Sequence, residues 1–364
     1  MMILLFLIFV PLILIDVFTP HVLRKTTVFG ISIPEPFIDN TQLALFKRKY
    51  SLWIASIQTP IVAILIGTSF SLNELQQSLI LVGGLFVYLT ISMIIYLKLH
   101  FKVKQYKEQQ GWEEQITVVR VSSFETKFNK GERIFPHRLF IPSFLITIGL
   151  AIWLIYLYPL LPSVIPTHWG ANGQPDAWSD KSFFSVFFLM LTLLFTQVLM
   201  YGMSWGTFHS SVKVKAQKSE LSLQREHETR KLMTEMIAFL TLITTLFLGL
   251  LEVQSNWSIL YADATLSMLY SIPIFLLLTF GSIYYYMKRS KALNEQFKEL
   301  DSLESEPSDD EHWKWGLFYY NKDNPELFIE KKFGIGWTVN FARPGIWIFL
   351  FIVVVLPLLP MFFM

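Results

Sequence analysis

The chain has 364 residues, of which 53% are hydrophobic and only 16% charged, with a mean hydropathy of +0.45; that is more apolar side chain than a water-soluble core buries. A balance of 30 Lys and Arg against 28 Asp and Glu, a net charge of +2, excludes the strong basic excess of a nucleic-acid binder. Cysteine is absent, which excludes disulfides, thiolate metal sites, iron–sulfur clusters and cysteine nucleophiles.

A helix needs about 20 apolar residues to cross the hydrocarbon core, with charges kept to its ends. About eight runs meet that requirement: 1–18, 52–70, 78–97, 139–161, 183–208, 233–251, 264–287 and 345–364. The first lacks the basic start and small-residue cleavage site of a signal peptide and is followed by Arg24 and Lys25, so it reads as an uncleaved span. The last contains Pro357 and Pro360, which predicts a kink or a partly interfacial position. Of the 30 Lys and Arg, 29 fall in alternate connections and only Lys181 in the others. Retention of basic residues inside sets orientation. The expectation is an all-α polytopic membrane protein of about eight transmembrane helices, both termini outside and the large loops cytoplasmic.

Four regions follow. Residues 1–137 hold the first three spans with basic loops, and 138–210 a membrane hairpin with an outer loop. Residues 211–300 hold a third hairpin with cytoplasmic helical extensions, and 301–364 an acidic linker, an aromatic and basic segment and the last span. Within the cytoplasmic loops, 116–121 is β-prone, 217–231 reads as a charged helix, and 288–303 continues the seventh span as a polar helix. The acidic stretch 302–311, with Ser and Pro, reads as mobile.

Enzymatic signatures are missing. Neither a GxxxxGK[ST] nor a GxGxxG pattern is present, and the nearest approach to a zinc-protease helix, His227-Glu228-Thr229-Arg230-Lys231, has lysine where the second ligand belongs. The expectation is a non-enzymatic protein with no cofactor and no metal. In the spans, Asp16, Glu235 and Glu252 are placed at the ends, where water or headgroups solvate them. Gln58, beside Pro60, and Gln197 either line a small polar cavity or bond a neighbouring helix.

Between the fourth and fifth runs lies the outer sequence PTHWGANGQPDAW, residues 166–178. Its prolines and glycines enforce a turn-rich shape, and Asn172-Gly173 is a pair suited to positive φ. Trp169 and Trp178 are amphipathic anchors for the headgroup level. His168, Asp176, Asp180 and Lys181 are expected close together there, as a small recognition or pH-responsive site or as a hydrogen-bonded turn. The pattern Pro166, His168, Trp169, Gly173, Asp176, Trp178, Lys181 resembles the outer-loop signature of a bacterial membrane domain that also occurs in SdpI-type immunity proteins. That resemblance implies a role in immunity against a membrane-active peptide, or in sensing one.

Near the carboxyl end, aromatic residues interleave with lysines: Tyr319, Tyr320, Asn321, Pro325, then Lys331, Lys332, Phe333, Gly334, Gly336, Trp337 and Asn340. Rings at headgroup level and lysines facing anionic lipid suit the inner interface of a bilayer. Asn321 to Pro325 reads as a turn, and Gly334 and Gly336 permit close backbone approach to helix ends. The segment resembles a short module of unknown function found in the same class of larger proteins. The functional expectation is a bacterial plasma-membrane protein whose partners are the lipid bilayer, an extracellular cationic peptide and a cytoplasmic regulatory protein, with no nucleic acid. The rival readings are a membrane anchor for that regulator and a small-molecule facilitator or transporter.

Overall fold

The computed structural model describes residues 2–23, 26–112, 134–169, 175–209, 219–261, 265–297, 309–334 and 336–355. The helices are α1 (Met2–Val22), α2 (Thr41–Thr68), α3 (Glu74–Gln109), α4 (Ile141–Leu157), α5 (Phe183–His209), α6 (Ser219–Tyr261), α7 (Thr265–Gln296) and α8 (Pro344–Val355). Among the described residues, six helical stretches are long and apolar enough to cross a membrane: Leu5–Val22, Thr41–Ser71, Leu75–Gln109, Ile141–Leu160, Phe183–His209 and Leu223–Asn256. The expected runs 264–287 and 345–364 fall in α7 and α8, and residues 356–364 lie outside the described part. Exposed Leu79, Phe86, Ile148, Ile152 and Tyr156 form apolar faces that water does not tolerate over such lengths. A helical, multi-pass membrane protein follows from that length and composition.

The helix starts are written locally. Asn40 caps α2 by accepting from the Gln42 amide at 2.8 Å. Asn73 and Gln76 cap α3 reciprocally, each side chain accepting from the other's backbone. Helix α1 packs between α2 and α7, α2 against α3, and α6 against α4, α5 and α7.

Polar side chains pin these neighbours together. Gln197, buried in α5, directs its Nε2 to the Ser143 carbonyl (3.0 Å) and Thr147 Oγ1 (2.7 Å) of α4 and to Thr245 Oγ1 (2.8 Å) of α6. Gln58 of α2 donates to the Tyr88 carbonyl of α3 at 2.9 Å and to Ser92 Oγ at 3.2 Å. Of the two roles open to these glutamines, the bond to a neighbouring helix is the one observed. An open groove of about 320 Å³ between α2 and α3 is lined by apolar Leu65, Leu79, Ile80, Val87 and two glycines.

Three expectations need correction. Asp16 is not left to water at a span end: its Oδ2 accepts from the Tyr88 hydroxyl at 2.7 Å and the Ser92 hydroxyl at 2.8 Å. Nor is Glu252 left to water: it is buried in α6 and accepts from Asn256 Nδ2 at 2.9 Å. The charged helix expected at 217–231 is helical from Ser219 onward, as the start of α6, which runs unbroken to Tyr261 with no Gly or Pro before Gly249 to stop it. The end of the acidic stretch is not loose: Asp310 opens a short 3₁₀ turn, Asp310–His312, and is bonded on several sides. The β-prone stretch 116–121 lies outside the described residues.

Replacing Gln197 with Leu is expected to lower stability by about 1 kcal/mol, the scale of an interhelical hydrogen bond in a membrane protein. Thermal unfolding of the detergent-solubilised chain measures it, and an unchanged midpoint would refute the pinning role.

Candidate functional site

Two ends of the bundle carry ordered non-helical structure. At the end where α4 stops and α5 begins, strands β3 (Val164–Trp169) and β4 (Pro175–Asp180) form an antiparallel hairpin rather than a set of loose turns. Its register slips around His168, pairing Pro166 with Trp178, His168 with Ala177 and Trp169 with Pro175. The base is fastened on every side. The Lys181 amide donates to the Ser163 carbonyl at 2.7 Å. Ser182 and Ser185 cap the start of α5 by mutual side-chain and backbone bonds of 2.9 to 3.0 Å. Ile165 and Leu161 are buried against Leu154, Leu157, Val186 and Phe187.

Lys181, expected in the recognition site, is occupied at the base of the hairpin. Its Nζ donates to the Leu161 carbonyl at 2.7 Å and the Tyr158 carbonyl at 3.4 Å, and lies 5.3 Å from the centre of the Tyr158 ring. It caps the short 3₁₀ turn Tyr158–Leu160 that follows α4, where a cation also meets the favourable end of the helix dipole. Pro166 is buried, while His168 and Trp178 are exposed, Trp178 at 58%. Trp169 and Asp176 sit on the strands, one on each, and Gly173 falls in 170–174, outside the described residues. Among the described residues no three His, Asp or Glu side chains group as metal ligands.

The opposite end joins segments that lie far apart in the sequence. A hairpin of β1 (Thr27–Val28) and β2 (Ile31–Ser32) turns at Phe29-Gly30; a second, of β5 (Trp313–Lys314) and β6 (Phe318–Tyr319), turns at Trp315-Gly316. All four turn residues have positive φ, from 46° to 77°. The turns touch: a Cβ on Gly30 would lie 2.6 Å from Gly316 Cα, and one on Gly316 2.7 Å from Gly30 Cα. Glycine at both positions is therefore required by conformation and by space. Tyr96 of α3 reaches both turns, its hydroxyl 3.2 Å from the Phe29 carbonyl and 3.0 Å from that of Trp315. His100, one turn further, donates from Nδ1 to the Phe29 carbonyl at 2.8 Å; the carbonyl has no proton to give, so the tautomer is fixed.

Beside the paired turns is a charge cluster. Asp310 accepts from the Ser32 hydroxyl (2.8 Å) and amide (3.2 Å), from Lys107 of α3 (3.2 Å) and from Lys332. Lys332 also meets Asp309 Oδ1 at 2.6 Å. Burial pushes the Asp310 carboxyl up, but the Lys332 and Lys107 ammonium groups and the Ser32 bond outweigh it and hold the group below the usual carboxylate range. Burial pushes the neighbouring Lys331 ammonium down. Phe333 fills the space beneath, with ring centres 4.6 Å from Tyr96, 5.6 Å from Phe29 and 6.1 Å from Tyr50.

The rest of the aromatic and basic segment folds around Asn340, which is fully buried. Its Oδ1 accepts from the Asn321 and Ala342 amides, and its Nδ2 donates to the Asn321 and Asn324 carbonyls at 2.8 and 3.0 Å. Asn321 and Asn324 each close an Asx turn, and both donate to the Tyr319 hydroxyl, so the turn expected at Asn321 to Pro325 is present. Strands β7 (Phe328–Glu330) and β8 (Trp337–Val339) pair, joined by Gly334 and Gly336 at positive φ. A Cβ on Gly336 would lie 3.1 Å from Met233 of α6, and Phe328 packs on Gly206 of α5. Tyr320 remains exposed.

Sequence reasoning missed Ser32, Lys107, Asp310 and the two turns. The aromatic-Gly pairs, Phe29-Gly30 and Trp315-Gly316, lack the Asn-Gly or Asp-Gly signature of such turns. Their contact joins segments nearly the whole chain apart.

Gly316→Ala is expected to destabilise by at least about 2 kcal/mol, since it adds strain and a backbone clash. Gly149→Ala, with open space around it, should be neutral or slightly stabilising. Paired thermal unfolding measurements decide. For Asp310, a depressed folded pKa means its contribution is complete above the unfolded pKa of about 4 and is lost as pH falls through the folded value. Stability of the wild type should therefore fall across that acid window more steeply than that of Asp310→Asn, which at pH 7 should already be lower by about 1–3 kcal/mol.

Residues 144–194, covering most of α4, the β3–β4 hairpin and the start of α5, match a family model described as a domain of unknown function, DUF1648. Residues 322–347, covering β7, β8 and the start of α8, match one described as a family of unknown function, DUF5808. No curated protein and no solved structure matches the chain.

Proposed function

We propose that the chain is a bacterial plasma-membrane protein of about eight spans, non-enzymatic, with both termini and the β3–β4 hairpin outside. In this reading the hairpin senses or neutralises a cationic, membrane-active peptide. One observation carries it: the hairpin is mounted rigidly by Lys181, the serine cap and Ile165, while His168 and Trp178 project from it into the surroundings. A preordered aromatic platform is what low-entropy peptide recognition requires. The outer connections add four carboxylates, Glu74, Asp176, Asp180 and Asp263, against Lys181, a net −3 that attracts a cation within a Debye length; Glu252, which the sequence also places there, is buried in α6. The likeness of the loop sequence to SdpI-type immunity proteins supports the same role.

The sidedness rests on the 29 basic residues assigned inside. It accords with the joining of the 26–38 segment, the end of α3 and the 309–343 segment at one end of the bundle. A second reading has an observation of its own. Trp315, Phe318, Tyr320 and Leu327 are exposed at that inner end, a surface suited to the headgroup layer or to a cytoplasmic regulator held at the membrane.

Cells lacking the gene are expected to become sensitive to peptides that they or their neighbours secrete. Complementation with Trp178→Ala should restore little protection, and binding of the responsible peptide to the purified variant should weaken about 10- to 30-fold, the scale of an exposed aromatic anchor. Lys181→Met should instead lower the unfolding temperature. Unchanged sensitivity of the deletion strain across a panel of secreted peptides would end the proposal; capture of a specific cytoplasmic partner in a pull-down would favour the second reading.

A further inference from the structure

Halfway along α3, three helices bring together four polar side chains in an otherwise apolar layer. Asp16 comes from α1, Gln58 from α2, and Tyr88 and Ser92 from α3. Both hydroxyls donate to the same carboxylate oxygen, Oδ2 of Asp16. Gln58 is fully buried; its Nε2 donates to the Tyr88 carbonyl and to Ser92 Oγ, while its Oε1 has no partner. Phe9, Ile54 and Val62, all buried, belong to the same packed layer, with the Phe9 ring 6.0 Å from that of Tyr88.

Charges facing this carboxylate are few. Among the described residues no lysine, arginine or histidine pairs with Asp16. On α1 itself His21 is occupied with Ser51 Oγ at 3.0 Å. From α2 the titratable neighbour is Tyr50, and from α3 it is Tyr88, with Tyr96 one turn beyond Ser92. Helix α7 also packs on α1, and its stretch 271–286 carries no Asp, Glu, Lys, Arg or His. The cluster thus has more acceptors than donors. The hydroxyl hydrogens go to Oδ2 and the amide hydrogens to Tyr88 and Ser92, which leaves Oε1 of Gln58 without a donor and Oδ1 of the half-buried Asp16 outside these bonds.

We propose that Asp16 binds and releases a proton at this depth, with Tyr88, Ser92 and Gln58 as the hydrogen-bonding shell of the carboxyl. A proton taken from water adds to the open oxygen, cancels the charge and supplies the donor that the cluster lacks; its release returns the proton to water. The hydroxyl bonds to Oδ2 persist in both forms, so the exchange needs no rearrangement of the helices. An asparagine would satisfy the same hydroxyls without any charge to stabilise, so a role confined to packing does not call for aspartate. A carboxyl at membrane depth with a named set of partners is the pattern of a proton-binding site.

The full-length chain in lipid nanodiscs, examined by infrared difference spectroscopy over a series of pH steps, tests this directly. The expected result is a protonated-carboxyl carbonyl band that vanishes reversibly as pH rises and is lost in Asp16→Asn. Ser92→Ala should keep the band but shift the pH at which it vanishes, and this variant decides the matter if Asp16→Asn does not fold. A band unchanged in Asp16→Asn, or one unmoved in Ser92→Ala, overturns the proposal. So does a band that sodium abolishes at constant pH, because the site then holds a metal cation instead. None of these readouts involves the outer hairpin or a peptide.

Discussion

In the apolar depth of a bilayer no water is available to finish a hydrogen bond, so every polar side chain that a helix carries there must find its partner on protein. Leucine faces alone do not specify which helix lies beside which, because lipid tails compete for the same contacts. The bonds of Gln197 specify it for α4, α5 and α6, and those of Gln58 and Asp16 for α1, α2 and α3. Threonines obey the same constraint within their own helices: Thr147, Thr241 and Thr245 each donate to the carbonyl four residues before. Arg230, almost fully buried, caps the last turn of α5 through the Thr207 and Phe208 carbonyls at 3.2 and 3.0 Å.

At the end of the bundle opposite the β3–β4 hairpin, the constraint takes an ionic form. Removing Lys107, Lys332, Asp309 and Asp310 from water costs free energy that their mutual attraction only partly returns, so the cluster contributes more to uniqueness of docking than to net stability. It brings two lysines to two aspartates and closes on Ser32 of the first hairpin. The paired glycine turns supply the steric half of the same lock. Neither half is complete without α3, which contributes Tyr96, His100 and Lys107.

How far the sequence shows this depends on the range of each interaction. Helix spans were legible because twenty apolar residues in a row are a local signal, as was the turn at Asn321. The outer hairpin was half legible: its residues were found, but the strand pairing and the use of Lys181 as a helix cap were not, since a lysine looks alike whether it faces a ligand or a carbonyl. Asp16 was misplaced for a physical reason. Counting residues from a span end assumes a straight, untilted helix, whereas its actual neighbours, Tyr88 and Ser92, lie in the middle of α3. The Asp310 cluster was illegible, because its members, Ser32, Lys107, Asp309, Asp310 and Lys332, are scattered along the sequence and carry no motif.

The spacing of contacts along α3 joins these observations. Tyr88, Ser92, Tyr96 and His100 follow one another at intervals of four and therefore line one face of the helix, with Lys107 two turns beyond. That single face meets Asp16 first, then the Phe29 and Trp315 carbonyls, then Asp310. From Ser92 to Lys107 is about 22 Å at the rise of an α-helix. A helix is stiff over that length, so a shift of α3 against α1 at the level of Asp16 has to be absorbed at the glycine turns and the ion cluster. The outer hairpin makes no such demand. It is mounted on α4 and α5, whose link to the rest runs through Gln197, Arg230 and the contact of Phe328 with Gly206. The bundle thus divides into a hairpin end carried by one helix pair and an integrating end to which the first three helices and the last segment all contribute, with α6 as the bridge between them.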